Sequence, residues 1–129
     1  MLPAEDVRYL AGKGYTYLCE QVGSTTLLII KDYALPPGFA PVASDLMLEI
    51  PGGYPDAGLD MFWMYPAVHL SATSGHPPAA DVFEPKFGGL NWQRFSRHGY
   101  PWRPGEDSIV SYLLWVRQSL ERDVRAIAA

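Results

Sequence analysis

A single cysteine, Cys19, stands in a chain of 129 residues. One thiol excludes an internal disulfide and any zinc site built on several thiolates. Basic residues are also few: 10 Lys and Arg against 14 Asp and Glu leave a formal charge of −4. General nucleic-acid binding needs a basic face, so nucleic acid is not an expected partner. No apolar run approaches the roughly 20 residues that cross a bilayer, and no membrane partner is expected. The start, Met1-Leu2-Pro3-Ala4-Glu5-Asp6, carries neither a basic stretch nor a long apolar one. No signal peptide is read there, and the expected compartment is the cytoplasm. A Gly-x-Ser-x-Gly turn is missing too, and no acid close in sequence orients His98, which speaks against a stand-alone serine hydrolase.

What is present supports a packed core. Hydrophobic residues make up 48% and charged residues 19%, a globular balance, and the length suits one domain over residues 1–129. The 12 Pro and 12 Gly punctuate the middle of the chain, which predicts ordered loops rather than a linker. Pro3 to Lys13 reads as a short helix with Glu5 and Asp6 at its positive end and Val7, Leu10 and Ala11 on its apolar face. Tyr15–Val22, Thr25–Lys31, Leu46–Ile50 and Met61–Tyr65 read as four strands, the first two joined by a Gly23-Ser24 turn. Pro66 to Pro104 holds no sustained period of 2 or 3.6 and is expected to be irregular. From Glu106 to Ile127 the stripe Ile109, Leu113, Val116, Leu120, Val124 and Ile127 predicts an amphipathic helix. Helix, antiparallel four-stranded meander, long irregular segment and covering helix make an α+β fold.

Several strings carry a further likeness. Leu35-Pro36-Pro37-Gly38 lies between the second and third strands, Tyr54-Pro55 follows the third, and Trp102-Arg103-Pro104 precedes the long helix. With the element order, these resemble the ubiquitin-conjugating enzyme (UBC, or E2) superfamily. Four stretches are similar to its bacterial branch, prokaryotic E2 family E: Ile50–Gly58, Met61-Phe62-Trp63, Trp92–His98 and Trp102–Gly105. The likeness covers about Leu2 to Leu120. It implies a UBC-like fold and a transferase that receives a ubiquitin-like protein from an activating enzyme. No cofactor is expected. The superfamily's nucleophilic cysteine would lie shortly before Trp102, but Asn91 to Tyr100 contains none. Its His-Pro-Asn has only His76-Pro77-Pro78 as a counterpart, without the amide.

Attention therefore moves from Cys19, in the first strand, to the loop between Trp92 and Trp102. Cys19 reads as a small apolar group in an ordinary sheet position. Ser96 is flanked by Arg94, Arg97 and His98. If this piece is extended, His98 shares a side with Ser96 and can serve as its base. Ser96 would then accept the ubiquitin-like C-terminus as an oxyester, with Arg94 and Arg97 supporting the oxyanion. The plain alternative is that Ser96 satisfies loop backbone groups. Lys86, Arg94, Arg97 and Arg103 form a basic run without an acid, either a carboxylate-capturing patch or a solvated loop. Trp92 and Trp102 read as anchors of the loop. His69, His76 and His98 match no compact ligand spacing, so no metal is expected. The competing reading is a non-catalytic UBC-fold module that binds a ubiquitin-like protein or activating enzyme.

Overall fold

The computed structural model describes residues 2–128; Met1 and Ala129, the outermost positions of the domain read over 1–129, lie outside the described residues. The elements run α1 (Ala4–Gly12), β1 (Tyr17–Val22), β2 (Thr25–Ala34), β3 (Phe39–Ala40), β4 (Ala43–Ile50), β5 (Phe62–Tyr65), β6 (His69–Leu70), β7 (Val82–Pro85), β8 (Asn91–Phe95) and α2 (Ile109–Ala128). The main sheet has the order β1-β2-β4-β5-β8-β7 with every pair antiparallel, and β3 pairs with β6 separately. This is the α+β, UBC-like architecture expected, with β1, β2, β4 and β5 forming the meander.

The segment from Pro66 to Pro104 differs from its expectation. It supplies β7 and β8, which extend the meander beyond β5. Neither offers the all-apolar run that marked β5, which at 4 residues is no longer than they are. On β8 the inward position opposite Met64 is Gln93, a polar residue that is fully buried. Its carboxamide accepts from Val68 N at 2.7 Å and donates to Val68 O and Ala80 O at 3.0 and 2.9 Å. With partners for both ends of the amide, burial costs little.

α2 covers one face of the sheet. Ile109, Tyr112, Leu113, Val116 and Leu120 pack with Leu28, Ile30, Leu46, Leu48, Phe62, Met64 and Phe95. Each such buried aliphatic or aromatic side chain is worth about 1.5–3 kcal/mol over its exposed state. The opposite face holds a smaller cluster of Leu27, Ile29, Met47, Trp63 and Trp92. There Trp63 Nε1 donates to Glu84 at 2.7 Å and the Lys86 ammonium sits 4.8 Å over the Trp63 ring.

Both helices shift relative to their sequence patterns. α1 buries Asp6 and Leu10, while Val7 and Ala11 are exposed. Tyr54 Oη draws the Asp6 carboxylate inward at 2.6 Å and so rotates the buried face by a position. α2 begins at Ile109, leaving Glu106 and Asp107 outside its first turn. Asp107 is held elsewhere, accepting from Tyr100 Oη at 2.7 Å and Arg103 N at 2.7 Å. Ser108 Oγ instead accepts from Val110 N at 3.1 Å, as a capping hydroxyl does. Cys19 is exposed rather than buried, because β1 is an edge strand with both faces largely open.

Candidate active site

Two loops meet at the end of the sheet where β5 begins and β8 ends. The first runs from Pro51 to Asp60 and the second from Ser96 to Pro104. Trp102 joins them: its Nε1 donates to Pro55 O at 2.8 Å, and its ring lies directly on Gly58. A Cβ at Gly58 would stand 2.5 Å from Trp102 Cγ, so only glycine admits the indole there. Tyr100, Tyr112 and Trp115 pack around Trp102 or one another at ring separations of 5.2–5.8 Å. Trp92 anchors the other end from the opposite face, with Nε1 donating to Phe87 O at 2.9 Å.

β8 delivers Ser96 to this junction. Its Oγ accepts from Arg94 Nε at 2.8 Å, and Arg94 Nη1 also reaches Glu84 at 3.2 Å. Ser96 N donates to Ala79 O at 2.8 Å, and Arg97 N closes onto Phe95 O at 2.9 Å. That last bond is a three-residue turn centred on Ser96. The chain is therefore not extended there, and the condition for Ser96 and His98 to share a side is not met. Among the described residues no hydrogen bond joins them. His98 turns instead to Asp60, with Nδ1 at 2.9 and 3.0 Å from the two carboxylate oxygens. An acid thus stands beside His98 after all, 38 residues away in sequence.

The arginines divide. Arg94 stays with Ser96. Arg97 crosses to α2, where its guanidinium donates to Ser119 Oγ and Asp123 Oδ2 at 2.6 Å each and to Pro78 O at 2.9 Å. It also lies 5.1 Å over the Phe95 ring. Burial pushes the Asp123 carboxyl above its ordinary value, against the opposing pull of Arg97. The basic run is not a free patch: Lys86 pairs with Glu49 and Glu84, Arg94 with Glu84, Arg97 with Asp123, and Arg103 with Glu106 and Asp107. Every one of these acids lies outside the Lys86–Arg103 stretch, which is why the run looked unopposed.

Cys19 lies on β1, opposite Leu28 of β2, at the far edge of the sheet order from β8. Desolvation raises its thiol above the usual value, away from the reactive thiolate. His69 and His76 stack at 5.7 Å near Phe83, apart from the His98–Asp60 pair. Among the described residues no group of three or more His, Cys, Asp or Glu is arranged to hold a metal ion. Among the described residues no helix is long and apolar enough to cross a membrane.

Asp60, Glu84, Ser119 and Asp123 hold this site together, and none of them stood out in the sequence. Only Asp60 carried a local hint, a lone acid directly before an apolar strand. The rest depend on register. The sequence matches the family model of prokaryotic E2 family E over residues 2–123. No curated protein and no solved structure matches it.

Proposed function

The chain belongs to prokaryotic E2 family E, a ubiquitin-conjugating-enzyme-like family, and from that membership we propose that it receives a ubiquitin-like protein from an activating enzyme and passes it on, carrying it as an oxyester on Ser96. The observation that supports this choice of atom is the 2.8 Å hydrogen bond from Arg94 Nε to Ser96 Oγ. A fixed cation beside a hydroxyl favours the negative charge that develops on oxygen during acyl transfer. In loading, Ser96 Oγ attacks the activated C-terminal carbonyl carbon. The C–O bond forms and the bond to the activating enzyme's leaving group breaks. The hydroxyl proton passes through one water to His98 Nε2, and from there to the leaving group. In discharge, an amine attacks the ester carbon, the C–N bond forms, the bond from that carbon to Ser96 Oγ breaks, and the proton lost by the amine passes to Oγ. In this reading Arg97 tethers the loop to α2, Trp92 and Trp102 hold its ends, and the partners are the ubiquitin-like protein and its activating enzyme. No metal or other cofactor enters, and the compartment is the cytoplasm.

The test is reconstitution with the activating enzyme, the ubiquitin-like protein and ATP, read by intact mass. The expected adduct resists thiol reductant, is cleaved by hydroxide and is absent from Ser96→Ala. An adduct that survives Ser96→Ala and vanishes in Cys19→Ala would sink the assignment. No adduct with an active activating enzyme would leave the non-covalent binding module in its place.

A further inference from the structure

Within that reading of the site, we propose that Asp60 is the positioning residue for His98: it holds the imidazole in the Nδ1–H tautomer and leaves Nε2 as the proton acceptor. An ionised carboxylate has no proton to give, so the proton shared at 2.9 and 3.0 Å lies on Nδ1. The two carboxylate oxygens straddle that nitrogen, which fixes the direction of the ring as well as its tautomer. Among the described residues Nε2 has no protein partner.

The backbone is built to aim Asp60. The next residue, Met61, sits at φ +60°, a left-handed conformation that side-chain-bearing residues rarely adopt. Such strain persists only where the surroundings impose it. Here Tyr112 Oη donates to Met61 O at 2.7 Å, and Trp102 packs onto Gly58 two residues before Asp60. β5 then starts at Phe62, whose partner on β8 is Phe95. One step beyond that pair the strands reach Met61 and Ser96, so the strained residue stands between the candidate nucleophile and Asp60. Asp60 and Met61 also border an open depression of about 260 Å³, with Thr25, Glu49, Pro51 and Gly58 along its wall.

Both side chains are about 60% exposed, which argues against a structural purpose. An exposed pair contributes at most about 1 kcal/mol to stability, too little to offset the strain at Met61. Orientation of a base needs no burial.

Asp60→Asn and Asp60→Glu test this, with two readouts. The first is the ¹⁵N shifts of His98 in the free protein at alkaline pH, which report the neutral tautomer. Wild type is expected as Nδ1–H, Asp60→Asn shifted toward Nε2–H, and Asp60→Glu restored. The second is single-turnover loading. Asp60→Asn should lower the maximal rate by about 10²- to 10⁴-fold, the worth of a positioned general base, with half-saturation for the loaded activating enzyme unchanged. Asp60→Glu should recover part of it, and all three proteins should share one thermal midpoint. An unchanged tautomer, or a changed tautomer with an unchanged rate, overturns the role of Asp60 while leaving Ser96 in place. If wild type takes no adduct, the oxyester reading fails and this role fails with it, a result the free-protein tautomer cannot mimic.

Discussion

At Gly58 the missing side chain is what lets Trp102 lie against the Pro51–Asp60 loop. Gly58→Ala would push a methyl group to 2.5 Å from Trp102 Cγ. Overpacking of this kind costs about 1–3 kcal/mol, expected as a lower urea midpoint with an unchanged slope. Because the displaced indole also releases Pro55 O, the loading rate should fall as well. The two faces of this contact were unequally visible in advance. Trp102-Arg103-Pro104 and Tyr54-Pro55 stood out as motifs, and Ser96 and His98 were visible as neighbours. Their partners were not. The Ser96 turn and the 38-residue step from Asp60 to His98 arise from strand register, which neighbouring letters do not encode. Cys19 was correctly set apart from the loop, yet its burial was misjudged. A strand's residue types do not reveal whether it lies at the sheet's edge.

Among the elements, α2 shows how far a periodic pattern reaches. Ile109, Leu113, Val116 and Leu120 are buried as their spacing predicted, and Ile127 at the far end is exposed. Spacing said nothing of Ser119 and Asp123, polar residues on the inner edge that receive Arg97 from the loop. Arg97→Met keeps the stem over Phe95 but strands the Asp123 carboxylate. Removing one member of a buried pair costs about 3–5 kcal/mol at neutral pH. The pH dependence has a definite sign. Burial raises the Asp123 carboxyl in the folded state, so its contribution to stability is fully present below the unfolded value and is lost as pH rises through the folded one. Without Arg97 the rise is greater. The deficit of Arg97→Met should thus be widest near neutrality and shrink toward acid pH, as urea melts at both conditions would record.

Across the whole molecule, charge is arranged to cancel at the site. The chain carries −4 overall, and each base between Lys86 and Arg103 already has an acid. Long-range steering of an acidic partner therefore has little to act on. Half-saturation for loading should change less than about threefold between about 0.05 and about 0.3 M salt, a range over which a free basic patch would be strongly screened. A steep salt dependence would mean that these pairs open when the partner binds. The meander and its covering helix were legible because apolar runs and a periodic stripe announce themselves. β7 and β8 were not, since short strands with polar inward positions draw their identity from the neighbours they meet.

The sheet order also governs how the protein is made. β8 is the last strand in the chain, yet it sits inside the sheet between β5 and β7. A nascent chain on the ribosome can assemble β1, β2, β4 and β5 early, as domains begin to form N-terminal first. It then presents Phe62 and Met64 on a bare edge strand, and β7 has nothing to pair with when it emerges. Ser96 and His98 follow β8 out of the exit tunnel before α2 does. Translation thus exposes an unfinished edge, the form of sheet most prone to sticking to another chain, until the final stretch is synthesised. The closure of that edge and the candidate chemistry arrive one after the other, on β8 and the loop that follows it.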